Sequence, residues 1–237
     1  MSRLTATIWC DIRHQYRNGF YHAASFVTLL AVGVIWLLPQ EFRPFIMANL
    51  PLLMIGNLII NTFYFSAGQI LLEKREQTLS AQVVTPLLTS EYLASKVLTL
   101  TLLSLIENVA IVLLVFGFAL NLLPLILGII LAGALFTYAG VAVVARYESV
   151  NEYLLPSIGY VSLLGLPLVA WLLNWDNFII YLHPLQTAMV IGKAAFSSIE
   201  TWQVIYGLLY GAVWVLYFRA RAEKAFSRYI ISGEAYS

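Results

Sequence analysis

The chain divides where its charges fall. Asn18 to Gln40 carries no charged residue and neither does Pro44 to Leu72, and each exceeds the about 20 apolar residues that cross a hydrocarbon core. The first span is placed at Gly19 to Leu38 and the second within Pro44 to Leu72, with the turn Pro39 to Pro44 between them. Glu73 to Lys96 is the most polar internal segment. Beyond it an apolar region runs to Ala145, broken by one charge, Glu107. That region is too long for one crossing. The turn signal Asn121 to Pro124 divides it into spans at about Val97 to Phe118 and Leu125 to Ala145. A polar loop, Arg146 to Glu152, leads to a fifth span at Tyr153 to Leu173, and the sixth is Thr201 to Phe218. Between the last two lies Asn174 to Glu200, whose apolar run Asn177 to Gly192 is short and holds His183-Pro184 and Gln186; it reads as re-entrant or interfacial rather than spanning. The pattern predicts an all-α, polytopic membrane protein with six transmembrane helices in a single domain over 1–237.

Composition sharpens this picture. Apolar residues make up 61% of 237, charged residues 11%, and the mean hydropathy is +0.83. A soluble domain carries about 25% charge, so most of this surface must face lipid. The net charge of +1 argues against a nucleic-acid partner, which requires a basic excess. One cysteine, Cys10, allows no internal disulfide, and the three histidines (His14, His22, His183) form no metal-binding pattern. The first apolar run is longer than a signal-peptide h-region and lacks a small-residue cleavage site, so it is expected to remain as an anchor.

The sign of the loops gives the orientation. With the N-terminus inside, Arg3, Arg13, Arg17, Lys74, Arg75 and Lys96 are cytoplasmic, and so are Arg146, Arg219, Arg221, Lys224 and Arg228. Only Arg43 and Lys193 fall outside. This bias places both termini in the cytoplasm of a cell (inner or plasma) membrane. Trp36, Trp171, Trp175 and Trp202 fall near the outer ends of spans, as an aromatic belt requires. The N-terminal stretch 1–18 is read as an interfacial helix. Leu4, Ile8, Ile12 and Gln15-Tyr16 recur at helical spacing, with Arg13 and Arg17 available to headgroups; a basic tail of marginal structure is the plainer alternative.

Several polar residues sit at membrane depth. Glu107 lies about 1.5 Å per residue beyond Lys96, near the bilayer centre. A carboxylate there must be protonated, paired or facing water. It is read either as a substrate or proton contact or as a buried hydrogen bond. Asn57, Asn61, Tyr64 and Gly68 share one face of the second span, either lining a translocation path or joining helices. Pro156 and Pro167 share a face of the fifth span with Gly159, Ser162 and Gly165 between them, which suits a gating helix or tight packing. Gly207 and Gly211 form a G-x-x-x-G in the sixth span, a candidate packing face. Glu148 and Glu152 belong to a second docking point or to a solvated loop, and His183-Pro184 is expected to start a helix rather than to bind metal.

The segment Glu73 to Lys96 reads as a charged helix end, a break at Thr85-Pro86 and a new helix capped by Thr89 or Ser90 with Glu91 in its first turn. Leu79, Val83, Val84 and Leu87 give it an apolar side suited to docking a soluble partner. At Glu73, Arg75, Thr78, Leu79, Thr85, Pro86, Leu87, Glu91, Tyr92, Leu93 and Lys96 the chain resembles the permease subunits of type-2 ABC exporters. It departs at Gln77, where the family has Gly, and at Ser80, where it has Glu. The resemblance covers nearly the whole chain; the small six-span drug-export and haem-export permeases are both similar in outline, so the substrate stays open. It implies a permease working as a dimer with an identical or sister chain and embedded in membrane lipid. It further implies coupling through Glu73, Arg75, Glu76, Thr78, Thr85, Pro86, Glu91 and Lys96 to separate ABC ATPase subunits, which bind ATP and Mg. This chain has no phosphate-binding loop motif and is expected to hold no cofactor and to catalyse nothing itself. A secondary transporter driven by an ion gradient through Glu107 is the alternative. An intramembrane enzyme is disfavoured because no His, Cys or Lys accompanies Glu107 at its depth.

Overall fold

The computed structural model describes residues 3–83, 85–117, 121–175 and 177–231, and every regular element among them is helical. Ser2, Val84 and Phe118 lie outside the described residues, as do the side chains of Ser80 and Val83. Helix α1 (Arg3–Arg17) is followed at Gly19, in the left-handed region at φ 79°, by α2 (Phe20–Leu37). The second span is continuous but composite: α3 (Arg43–Leu58), a π-helical stretch at Ile59–Tyr64, and α4 (Phe65–Arg75). Short α5 (Thr78–Val83) precedes α6 (Thr89–Phe116) and α7 (Leu122–Val144). Then come α8 (Val150–Leu164), α9 (Leu166–Leu172), a 3-10 turn at Phe178–Leu182, α10 (Pro184–Lys193) and α11 (Thr201–Phe226).

Five of these segments are long and apolar enough to cross a membrane singly. The expected fifth span is the exception. Instead of one rod over Tyr153 to Leu173, α8 and α9 meet at a 52° bend. The cause is local: Pro167 has no N–H to give to the carbonyl of Leu163 one turn earlier, so the helical ladder is interrupted beside Gly165. Helix stays continuous through Pro156. The segment 174–200 folds as the 3-10 turn plus α10, and α10 is too short to span; its Leu185, Ala188 and Ile191 are buried against α7 and α11.

Helix α7 is the axis of the molecule, touched by α6, α10, α11 and the π-helical stretch. Small residues let these neighbours close in. A Cβ on Gly140 would stand 2.6 Å from the Phe63 carbonyl in the π-helical stretch, and one on Gly133 would stand 2.8 Å from Thr101 on α6. The G-x-x-x-G of the sixth span is a packing face in fact: Gly207 abuts Ile191 on α10 and Gly211 abuts Leu131 on α7. Without a hydrophobic drive between helices in lipid, such close approach is what holds spans together.

Candidate functional site

One end of the bundle is built around a buried ion. The ammonium of Lys96 is fully enclosed, 2.5 Å from a carboxylate oxygen of Asp11 and 2.5 Å from one of Glu73, with the Tyr92 ring 4.7 Å from it. The second oxygens are satisfied too. Tyr92 donates its hydroxyl to Glu73 Oε2 at 2.5 Å, and Ser95 donates to Asp11 Oδ2. Gln69 donates to Asp11 Oδ1, Gln15 donates to both Gln69 and Thr99, and Tyr21 donates to Gln15. Burial of ions is costly unless every lone pair finds a partner, and here α1, α4 and α6 each supply some of the partners. The inward face of α1 is therefore polar at its centre: Asp11 and Gln15 are buried, whereas Leu4, Ile8 and Ile12 are only half-buried. Sequence reasoning passed over Asp11. A carboxylate four residues before Gln15, on a helix facing a lysine at the start of a span, was the available signal.

Around this charged knot the segment Glu73 to Lys96 is held in place. Its eight candidate residues separate into two groups. Glu73 and Lys96 face inward as described. Arg75, Glu76, Thr78, Thr85 and Pro86 are exposed, and Glu91 is half-buried. Gln77 stands in the left-handed region at φ 57°, which explains why glycine suits that position. Thr78 donates to the Glu73 carbonyl and Thr85 to the Gln82 carbonyl, closing the turns on either side of α5. The N-cap of α6 lies one residue before Thr89 and two before Ser90, the expected caps. Leu88 is the N-cap, and Glu91 reaches back to accept its N–H at 3.0 Å.

Neighbouring elements grip the same segment. Arg3 donates to the Pro86 carbonyl and Arg17 pairs with Glu76 at 3.2 Å. Lys74 donates to the Ala145 and Tyr147 carbonyls at the end of α7 and pairs with Glu148 at 3.0 Å. Glu152 closes a cap with Ser149, so Glu148 and Glu152 are both engaged by the chain itself. Phe226 of α11 packs on Tyr92 with the rings tilted and their centroids 4.9 Å apart. The exposed segment is thus tied to α1, α6, α7 and α11 together.

A second polar cluster lies at membrane depth. Asn61 donates to Glu107 Oε2 and to Asn57 Oδ1, and Asn57 reaches the same carboxylate oxygen at 3.5 Å. All three are buried. Thr28 on α2 interacts with the carboxylate without a well-formed hydrogen bond. The π-helical stretch sets up this contact: its extra residue per turn brings Asn61 round to Glu107 while Thr62 donates to the Leu58 carbonyl. The arrangement joins α2, the second span and α6. Of the shared face predicted around it, Tyr64 instead packs on Phe63 and Tyr153, and Gly68 lies against Phe20.

The bent pair α8–α9 is held differently. Near one end Tyr153 is buried among the rings of Phe63, Tyr64 and Tyr147. Toward the bend, the Leu163 carbonyl orphaned by Pro167 meets His183 Nε2 at 3.0 Å, while His183 Nδ1 accepts the Leu185 N–H at 3.2 Å. One imidazole therefore caps α10 and repairs the broken ladder of α8. Because Nδ1 accepts, the proton is on Nε2 and the ring is neutral, and its burial holds its pKa below the usual value. As expected, His183-Pro184 starts a helix.

Comparison with known proteins agrees with this architecture. The model of the fluoroquinolones export permease protein family matches residues 2–234. Two relatives from Mycobacterium tuberculosis, of strains CDC 1551/Oshkosh and ATCC 25618/H37Rv, each carry the name fluoroquinolones export permease protein. Each is 33% identical to this chain over 234 residues, which cover 98% of both proteins.

Proposed function

The chain belongs to the fluoroquinolones export permease protein family, and from that premise we propose that it is the membrane-spanning permease subunit of an ATP-driven ABC exporter. Two such subunits form the substrate path, and separate ATPase subunits bearing ATP and Mg dock on the end that carries α1 and residues 73–96, which faces the cytoplasm together with both termini. The observation that carries this reading is the charged knot of Asp11, Glu73 and Lys96 beneath an exposed, charged surface segment. A partner that pushes on Arg75, Glu76, Thr85 or Pro86 pushes on the second and third spans at once, because the buried ions and the Lys74 contacts leave no soft joint between them. Glu73 and Lys96 position the docking element, and the exposed residues touch the partner. The basic bias of that end of the chain supports the orientation. The relatives' name makes fluoroquinolones the first cargo to test.

Glu107 fits this scheme as a join between spans, since it is buried and its Oε2 accepts from Asn57 and Asn61 of the second span.

The test is co-purification of the tagged permease in mild detergent with assay of vanadate-sensitive ATPase activity. A stoichiometric ATPase that is lost in the Arg75→Ala/Glu76→Ala/Pro86→Ala variant, at unchanged melting temperature, is the expected result. Absence of any ATPase under several solubilisation conditions would overturn the reading.

A further inference from the structure

Between α8 and α11 lies a cleft of about 540 Å³ that the exporter scheme does not use. It exists because α8 is fastened at Tyr153 and at Leu163 but makes no extensive contact with α11 in between. Its walls are apolar and aromatic: Tyr160, Leu163, Leu164, Trp214 and Phe218. Its mouth is basic, lined by Arg146, Arg221, Lys224 and Arg228, and no acidic residue lines it among the described residues. Arg221 and Lys224, three residues apart, share one face of α11, and Arg228 stands in the π-helical turn Ser227–Ile231 that follows it. Arg146 lies just beyond α7, between Ala145 and Tyr147, whose carbonyls accept from Lys74, so the mouth lies at the same end of the bundle as the charged knot. Inside, the Trp214 ring N–H is buried without a hydrogen-bond acceptor among the described residues.

We propose that this cleft binds an anionic phospholipid of the cytoplasmic leaflet. The headgroup phosphate sits among Arg146, Arg221, Lys224 and Arg228, an ester oxygen accepts from Trp214, and an acyl chain lies along Tyr160, Leu163 and Phe218. Basic pockets between spans at the cytoplasmic side are the natural receptors for such headgroups. The apolar depth of the cleft favours a lipid over a soluble phosphate, which would meet only the mouth. The inference rests on the orientation proposed above and not on ATP-driven export.

Native mass spectrometry of the full-length protein in detergent, with phosphatidylglycerol and phosphatidylcholine added in equal amounts, tests this without any ATPase. Wild type is expected to retain phosphatidylglycerol preferentially. The variant Arg221→Ala/Lys224→Ala/Arg228→Ala is expected to lose that preference about tenfold or more, whereas Arg221→Lys/Arg228→Lys and the distant Lys193→Ala keep it. Excess soluble glycerol phosphate is expected to leave the bound lipid in place. Equal retention of both lipids by wild type, an unchanged preference in the triple variant, or full displacement by glycerol phosphate would each overturn the assignment.

Discussion

The two halves of this molecule are held together by different forces. From α1 to α6 the joins are buried polar clusters that bridge separate spans: Asp11, Glu73 and Lys96 at one end, and Asn57 and Asn61 of the second span with Glu107 of α6 at membrane depth. From α8 onward the joins are rings, glycines and one imidazole. The aromatic ladder of α11, with Tyr206 and Tyr210 donating to the carbonyls of Tyr181 and Leu182, holds the 3-10 turn, and His183 ties it to the bend of α8. A buried ion cluster has one satisfactory arrangement, so its elements move together. A helix fastened at two points can swing between them. Under the exporter scheme proposed above, the first half would transmit a push and the second would open and close.

Breaking the ion cluster is expected to have the largest effect. Lys96→Met leaves two carboxylates buried without their cation and is expected to destabilise the protein by about 3–5 kcal/mol, read as a large drop in melting temperature in detergent. A neutral result would mean that the cluster admits water and is no rigid joint.

Next comes Glu107. Glu107→Ala deprives Asn57 and Asn61 of their acceptor and is expected to lower stability by about 1–3 kcal/mol. Glu107→Gln, whose amide oxygen can still accept, should stay near wild type in both stability and transport. Loss of transport with Gln at unchanged stability would instead point to proton-coupled work at this position.

The imidazole tie of the second half is weaker. His183→Ala removes the cap of α10 and the partner of the Leu163 carbonyl, at about 1 kcal/mol, with faster hydrogen exchange confined to residues 160–170. The wild-type tie should also depend on pH. The histidine is held half-buried and neutral with its pKa lowered from 6.5, so its contribution is complete above pH 6.5 and is lost as pH falls through the folded-state pKa. Exchange at the bend that does not rise on acidification would show that another contact holds it.

The smallest effect is at the docking segment. Gln77→Gly relieves a left-handed side chain against a gain in unfolded-state freedom, a net stabilisation of about 0.5 kcal/mol by thermal melting. A destabilised variant would mean that the Gln77 side chain contributes more than its backbone angle takes away.

How much of this could be read from the letters follows from how local each cause is. Spans are legible because the bilayer fixes their length, and the break before α6 is legible because Pro86 forbids an ordinary helix. Asn57 and Asn61 were found by spacing and Glu107 by its isolation, although the fact that they meet depends on the π-helical turn, which leaves no trace in composition. Asp11 was invisible for another reason. On a short basic stretch it looks like any surface acid, and its partner Lys96 is 85 residues away. The bend of α8–α9 was half legible. Pro167 announced an orphaned carbonyl at Leu163, but only the fold brings His183 to it across 20 residues.

The separation of Asp11 from Lys96 also sets a clock. A chain made from its N-terminus at about 5–20 residues per second carries Asp11 for seconds before its lysine is made. During that interval α1 has no neutral place against the second span and must wait in the aqueous boundary. Arrival of Lys96 at the start of the third span lets both acids be enclosed in a single step. The ion cluster thus records that the first three spans have been delivered in the correct order and orientation, and a chain that inserts any of them upside down has no means of closing it.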